Sequence, residues 1–128
     1  MSVLLWTLVY ATFLPIVWSI VGGAQRARQP EGFNNTTPRS QAASLTGMGE
    51  RAYAAHQNAW EALMMYTPAV MIATFTGADG QATATTGIVF CVARTLHGIL
   101  YCTNQATLRS LVWFVGIGCT IRLIVLAA

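Results

Sequence analysis

The chain contains no lysine and few charged side chains of any kind. All seven basic residues among its 128 residues are arginines, and there are four acidic residues. Charged residues make up 9% of the sequence, whereas soluble domains carry about 25%. So little charge cannot cover a water-facing surface, and it provides no basic stripe for nucleic acid. The composition therefore excludes a soluble domain and argues against a nucleic-acid partner.

Paired metal-binding motifs are also missing. The three cysteines lie in apolar runs without C-x-x-C spacing, so the sequence indicates neither a zinc site of that type nor a disulfide framework. His97 has no second histidine, cysteine or carboxylate at ligand spacing. We therefore expect no metal.

Long apolar runs fill most of the chain, which is 55% hydrophobic. A helix needs about 20 apolar residues to cross a bilayer, and four such runs nearly use up the chain. We predict one all-α integral membrane domain over residues 1–128, built as a four-transmembrane-helix bundle. The predicted helices cover residues of about 3–23, 49–75, 82–102 and 108–126.

The connections between the runs differ in polarity. Residues 25–48 are polar and contain Pro30 and Pro38, which predicts an irregular loop. Asp79 lies between two glycines and predicts a turn. Because arginines gather in the first loop and at the third connection, the positive-inside rule places both in the cytoplasm and both termini outside. Arg122 in the fourth helix does not fit this pattern.

Polar residues inside two of the apolar runs need an explanation. A charged side chain in a membrane segment costs roughly 2.5–3.5 kcal/mol, so each one needs a partner or a function. Arg51, Asn58 and Glu61 share one stripe of the second predicted helix, flanked by His56. The third predicted helix carries Arg94, His97 and Tyr101 at spacing i, i+3, i+7.

Two interpretations of these residues remain open. Glu61 and Arg94 lie at depths that permit an ion pair, with Asn58, His56 and His97 as hydrogen-bonding groups between helices. The arginines, however, outnumber the carboxylates of one such pair. Arginines suit carboxylates, so this surplus predicts a cytoplasmic-side pocket for a ligand with more than one acidic group and an ammonium for Glu61.

Two motifs resemble those of a known family, the MAPEG family (membrane-associated proteins in eicosanoid and glutathione metabolism). Residues 51–61, RAYAAHQNAWE, resemble its second-helix signature. Residues 93–101, ARTLHGILY, resemble its third-helix signature, and Leu108-Arg109-Ser110 resembles the start of its fourth helix. Gln57 departs from the arginine that several eicosanoid enzymes of the family have there. Length and topology agree as well, so the resemblance covers nearly the whole chain.

The resemblance implies a homotrimer that binds glutathione as co-substrate between protomers, near the cytoplasmic face. By position, the glutathione-binding residues would be Arg26, Arg51, Asn58, Glu61, Arg94, His97 and Tyr101. The candidate catalytic residues are Arg109, which would stabilise the thiolate, together with Ser110 and Tyr101. From the residues alone, a nucleophile pair of Ser110 with a histidine has no visible third group.

The implied activity is that of a glutathione transferase or peroxidase acting on lipophilic electrophiles or lipid hydroperoxides that arrive from the bilayer. The resemblance to short prokaryotic-type members implies a bacterial inner membrane. A non-catalytic scaffold whose polar stripes serve trimer assembly is the alternative from another class. A transporter has less support, because no inverted repeat is present.

Overall fold

The computed structural model describes residues 1–78 and 80–128, so Asp79 in the predicted turn lies outside the described residues. These ranges contain helices and no strand, which confirms the all-α prediction. The helices are α1 (Val3–Ala27), α2 (Pro38–Ala43), α3 (Met48–Phe75), α4 (Gln81–Cys102) and α5 (Ala106–Ala127).

Within the described ranges, three helices are long and apolar enough to cross a membrane: α1, α4 and α5. Together they make this an integral membrane protein. The 28-residue α3 is also long, about 42 Å at 1.5 Å per residue, but it does not reach the same apolar threshold. Its polar residues lie in its first half, and the apolar stretch runs only from Ala62 to Ala73.

The predicted loop over residues 25–48 needs correction at two places. The first helix continues past residue 23 to Ala27, because residues 24–29 contain neither proline nor glycine. A six-residue helix, α2, then begins at Pro38. Proline is favoured at the first position of a helix, where its missing N–H costs nothing.

The long helices pack with α3 and α4 at the centre. Each of these two contacts α1 and α5 as well as the other, whereas α1 and α5 do not meet in the described part of the chain. In the core, the rings of Tyr66 and Phe90 stack with centroids 3.7 Å apart. The hydroxyl of Tyr66 lies 2.6 Å from that of Thr7, which satisfies both groups away from water. This contact fixes how α1 sits against α3.

Gly98 sets the approach of α1 to α4. A Cβ added at this glycine would overlap the indole ring of Trp18, which is itself buried. Small residues let membrane helices approach at backbone distance. Trp18 and Gly98 lie in the C-terminal halves of α1 and α4. The N-terminal ends of α3 and α5 lie at this same end of the bundle. Most of the polar residues predicted as site residues are found there.

Candidate functional site

A cavity of about 280 Å³ opens between α3, α4 and α5, and we call it the α3–α4–α5 cavity. Its lining residues are Asn58 from α3, His97 and Tyr101 from α4, and Arg109, Ser110, Trp113 and Phe114 from α5. The structure thus brings together, from three separate helices, five side chains that the sequence predicted as site residues. Trp113 and Phe114 were not predicted as site residues, although they follow Arg109 by about one helical turn.

Arg94 stands behind this cavity and is only 5% exposed. Its Nη2 donates to the side-chain Oδ1 of Asn58 at 2.5 Å and to the backbone carbonyl of Asn58 at 3.3 Å. The Nδ2 of Asn58 in turn donates to Oε2 of Glu61 at 2.9 Å. Asn58 therefore bridges the two charges. The direct Glu61–Arg94 contact considered from the sequence is replaced by this relay, because the short amide of Asn58 occupies the space between them.

The aliphatic part of Arg94 packs against a glycine of α5. A Cβ at Gly116 would lie 3.2 Å from Cδ of Arg94, so the glycine leaves room for the arginine to pass. Among the described residues, Nε of Arg94 is a buried donor with no hydrogen-bond partner. A buried polar atom without a partner is costly, so the packing around Arg94 leaves part of its hydrogen-bonding capacity unmet.

At one end of the cavity, three side chains lie against one another. The guanidinium carbon of Arg109 lies 4.2 Å from the centroid of the Tyr101 ring. The rings of His97 and Tyr101 meet edge to face at 5.5 Å. The link between α4 and α5 is short because Asn104 turns the chain with a φ of 60°, a left-handed conformation that asparagine tolerates. This turn is what carries Arg109 back over α4.

Ser110 is exposed at the mouth of the cavity. Its hydroxyl donates to the carbonyl of Ala106 at 3.1 Å, one turn back along α5. The oxygen still has lone pairs that can accept a hydrogen bond from a ligand. A histidine does not hold this hydroxyl in the described structure, so the geometry gives no support to a serine–histidine nucleophile pair.

Arg51 and Arg26 do not line this cavity. Nε of Arg51 donates to the carbonyl of Cys102 at 3.2 Å and so caps the end of α4. Arg26 donates to Oε1 of Gln41 at 2.9 Å and to the carbonyl of Asn34 at 2.6 Å. The structure of the single chain thus does not bring Arg26 to Arg109, and the role of Arg26 toward glutathione stays a prediction.

His56 faces away from the cavity, toward α1. Its Nδ1 lies 2.8 Å from the carbonyl of Pro15, and since a carbonyl only accepts, Nδ1 carries the proton. No cluster of three or more His, Cys, Asp or Glu side chains suited to a metal ion occurs in residues 1–78 and 80–128. The polar side chains that line the α3–α4–α5 cavity are those of Asn58, His97, Tyr101, Arg109 and Ser110.

This arrangement suits an anionic ligand with a reactive group near Arg109. Arg109 presents a permanently charged planar donor set beside the Ser110 hydroxyl, and Asn58 with Glu61 offers acceptors deeper along α3. Phe114, which is 65% exposed, continues the cavity wall onto the outer apolar surface of the bundle. A hydrophobic molecule can therefore reach the cationic end from the lipid side.

The fold and this cavity define a class: an integral membrane helix bundle with a polar, arginine-containing site at one end. The profile described as the MAPEG family matches residues 3–128, essentially the whole chain, and the chain belongs to this family. This confirms the resemblance to that family. Comparison with curated proteins gave no match, and comparison with solved structures gave none either.

Proposed function

We propose that the protein is a membrane-bound glutathione transferase or peroxidase that joins the glutathione thiolate to lipophilic electrophiles or reduces lipid hydroperoxides. The observation that carries this proposal is the convergence of Arg109, Ser110, Tyr101 and Asn58 in one cavity with an apolar side. Membership of the MAPEG family supports a glutathione-related activity in general terms. The particular reaction and co-substrate are our inference.

Glutathione has two carboxylates, one ammonium and one thiol. Arginines match the carboxylates, and Glu61, the acceptor of the Asn58 relay, matches the ammonium. A free thiol has a pKa near 8.5, and a cation close to the sulfur favours the charged form. Arg109 would therefore raise the thiolate fraction at neutral pH.

The chemical step needs little beyond this thiolate. In conjugation, its sulfur lone pair forms a bond to an electrophilic carbon, and the leaving group departs with the bonding electrons. In peroxide reduction, the sulfur attacks the outer peroxide oxygen and the O–O bond breaks to release an alkoxide that takes a proton. A second glutathione then attacks the resulting sulfenic acid, and glutathione disulfide and water leave. With its own proton on the Ala106 carbonyl, the Ser110 hydroxyl would accept a hydrogen bond from the thiol before it ionises.

We further propose that α3 is the fourth span and that the protein is a homotrimer in a bacterial inner membrane, with the site facing the cytoplasm. Gln57, Trp60 and Glu61 are exposed on the outer side of α3 in the single protomer. Polar side chains on a membrane helix face protein or water rather than lipid. A second copy that covers this face would let α3 cross the bilayer.

Calorimetric titration of the detergent-solubilised protein with glutathione tests the proposal directly. We expect saturable binding that weakens at least tenfold in Arg109→Gln, together with glutathione-dependent turnover of an apolar electrophile that this variant loses. Unchanged turnover in Arg109→Gln with an intact oligomer would rule out the role given to this arginine. Absence of glutathione binding to the folded wild-type protein would overturn the enzyme proposal as a whole.

A scaffold role is the second candidate, and the exposed Glu61 favours it. If the α3 face serves only to assemble copies of the chain, Glu61→Gln should change the oligomer while glutathione never binds. Size measurement by light scattering in detergent, combined with the same titration, separates the two functions. An assembled Glu61→Gln protein with reduced glutathione affinity would support the enzyme instead.

A further inference from the structure

A groove on the outer surface of the bundle lies between α1 and α4, and we call it the α1–α4 groove. Its volume is about 550 Å³, within the range of about 300–1,000 Å³ that small-molecule sites occupy. None of its described lining residues is charged; they include Trp6, Thr7, Tyr10, Cys91, Val92 and Thr95. Trp6, Tyr10 and Val92 are about half exposed, and both helices are apolar enough to cross a membrane. The groove therefore opens on the lipid side of the bundle.

The groove is separate from the residues assigned to the glutathione site. None of those residues is among its described lining. Thr7 lies beside Gly87 and Trp18 beside Gly98, so α1 and α4 run side by side in the same direction. Arg26 in the last turn of α1 is 16 residues beyond Tyr10, which is about 24 Å further along a helix at 1.5 Å per residue. The groove thus follows the other end of α1.

The hydroxyl of Tyr10 is a hydrogen-bond acceptor that receives no hydrogen. Its oxygen lies 2.7 Å from Oγ1 of Thr95. The Thr95 hydroxyl donates to the carbonyl of Cys91 at 2.9 Å, and since a carbonyl only accepts, the single proton of Thr95 is used there. Tyr10 therefore donates to Thr95. Its own oxygen keeps lone pairs to which no described residue donates.

The other hydroxyl and thiol groups of the groove also donate to backbone carbonyls. Thr7 donates to the carbonyl of Leu4 at 2.6 Å, and the Cys91 thiol donates to the carbonyl of Thr7 at 3.4 Å. The indole N–H of Trp6 lies one turn nearer the N-terminal end of α1, about 6 Å from the level of Tyr10. The groove thus offers a donor at its shallow end and an acceptor deeper in the span.

This order of polar groups selects a class of ligand. Tyr10 is seven residues past the start of α1, about 10 Å along the helix, where the bilayer provides no water to donate to its oxygen. A chain that carries a hydroxyl group can make this bond, whereas a ketone only accepts. A groove without charged residues suits a neutral ester better than a carboxylate, because an unpaired charge in an apolar site is costly. We infer that the α1–α4 groove binds a neutral lipid ester whose acyl chain carries a hydroxyl group, with Tyr10 as the acceptor and Trp6 beside the ester.

Three variants at exposed or half-buried positions test this binding. Tyr10→Phe removes the acceptor and keeps the ring, whereas Thr95→Val removes the oxygen that receives the Tyr10 proton. Thr12→Val is the matched control, since the Thr12 hydroxyl makes the same kind of bond to its own helix, 2.8 Å to the carbonyl of Leu8, outside the groove. Native mass spectrometry of the detergent-solubilised protein would measure the affinity for methyl stearate, a mid-chain methyl hydroxystearate and the corresponding methyl oxostearate.

Wild type should bind the hydroxy ester about threefold to tenfold more tightly than the other two esters, which is the effect of one hydrogen bond. Thr12→Val should keep this preference, and Tyr10→Phe should bind the three esters alike. Thr95→Val should gain affinity for the oxo ester, because the freed Tyr10 hydroxyl then donates to the ketone. A purely structural role of the hydroxyl pair would not produce this gain.

Four results would overturn the inference. The first two are equal affinity of wild type for the three esters and loss of the preference in Thr12→Val. Free hydroxystearate that binds more tightly than its methyl ester would show that a charged end is recognised. A smaller particle for Tyr10→Phe than for wild type in light scattering would show that a second copy of the chain covers the groove instead of a lipid.

The outcome does not depend on the proposed enzyme activity. Tyr10 and Thr95 have no place in the glutathione site, so a failed ester preference leaves the calorimetric titration with glutathione unaffected. A protein that prefers the hydroxy ester but never binds glutathione would keep this inference and lose the proposed function.

Discussion

The guanidinium carbon of Arg109 lies over the ring of Tyr101, 4.2 Å from the ring centroid. The contact joins the first turn of α5 to the last turn of α4 across a link of three residues, 103–105. Stacking of this kind leaves the N–H groups in the plane of the guanidinium free to bind an anion. The aromatic ring therefore positions the charge without neutralising it.

This geometry leads to a prediction about the bound thiol. A cation within about 4–6 Å favours the thiolate, so the pKa of glutathione bound to wild type should lie about one to three units below its free value near 8.5. In Arg109→Gln the pKa should rise back toward that value, so less thiolate is present at pH 7. Ultraviolet absorbance of the thiolate against pH measures both.

Arg122→Gln is the matched control, because Arg122 lies on the same helix, exposed, near the opposite end. It should leave the midpoint of the thiol titration unchanged. A midpoint that is the same in wild type and Arg109→Gln would show that Arg109 does not act on the sulfur.

The Asn58 relay should contribute to stability. Asn58→Leu removes the acceptor at 2.5 Å from the buried guanidinium of Arg94 and keeps a side chain of similar size. Hydrogen bonds to charged groups contribute about 1.5–3 kcal/mol, so the free energy of unfolding should fall by about that amount. Denaturant unfolding in detergent, followed by circular dichroism, gives the value.

Gln57→Leu provides the comparison for this change, since Gln57 is the exposed neighbour of Asn58. Its effect should stay within about 0.5 kcal/mol. If the two variants unfold alike, Asn58 does not hold Arg94 in the way described.

Two glycines of α5 offer another paired test. A Cβ at Gly116 would lie 3.2 Å from Cδ of Arg94, whereas a Cβ at Gly118 meets nothing within 4 Å. Alanine replaces glycine with the same gain in helix propensity at both positions, so the difference reports the contact. Overpacking should make Gly116→Ala less stable than Gly118→Ala by about 1–3 kcal/mol, measured by thermal unfolding. Equal stability would mean that Arg94 can move aside freely.

Gln41 should control the order of the loop between α1 and α2. It accepts from Arg26 and from the backbone N–H of Asn34, and it donates to the carbonyl of Gly32. Gln41→Leu removes all three bonds, each contributing about 0.5–1.5 kcal/mol, so opening of the loop should increase by about tenfold or more. Tryptic cleavage at the arginines of the loop would report it, because cleavage follows the open population.

Gln29→Leu is the control for the loop, since Gln29 makes one bond of 3.3 Å to the carbonyl of Gln25. It should change the cleavage rate less than threefold. Equal cleavage of the two variants would contradict the role assigned to Gln41.

The helices were predictable because apolar runs of membrane length leave the backbone no other way to satisfy its polar groups. The i, i+3, i+7 spacing of Arg94, His97 and Tyr101 also predicted correctly that they share a face, since α4 is regular there. The Asn58 relay was not predictable, because it depends on a rotamer. Residue spacing along a helix predicts the membrane depth and the helix face of a side chain. It does not predict which of two polar groups contacts the charged group of Arg94.

The direction of the Arg26 side chain could not be predicted from the sequence. Its place after an apolar run was clear from the sequence, yet its side chain turns to Gln41, a residue that fixes the loop only once α2 has formed. The short α2 has no apolar period to reveal it. That Trp113 lines the cavity follows only from the packing of α5 against α4.

The two hydrogen bonds on opposite sides of α3 have a mechanical consequence. His56 reaches the carbonyl of Pro15 on α1, and Asn58 reaches Arg94 on α4. Any turn of α3 about its own axis must stretch one of these bonds, so the helix is locked against rotation from both sides. α3 is too polar for lipid alone to orient it. Its neighbours α1 and α4 fix its rotation about its own axis, so its polar side chains keep one direction.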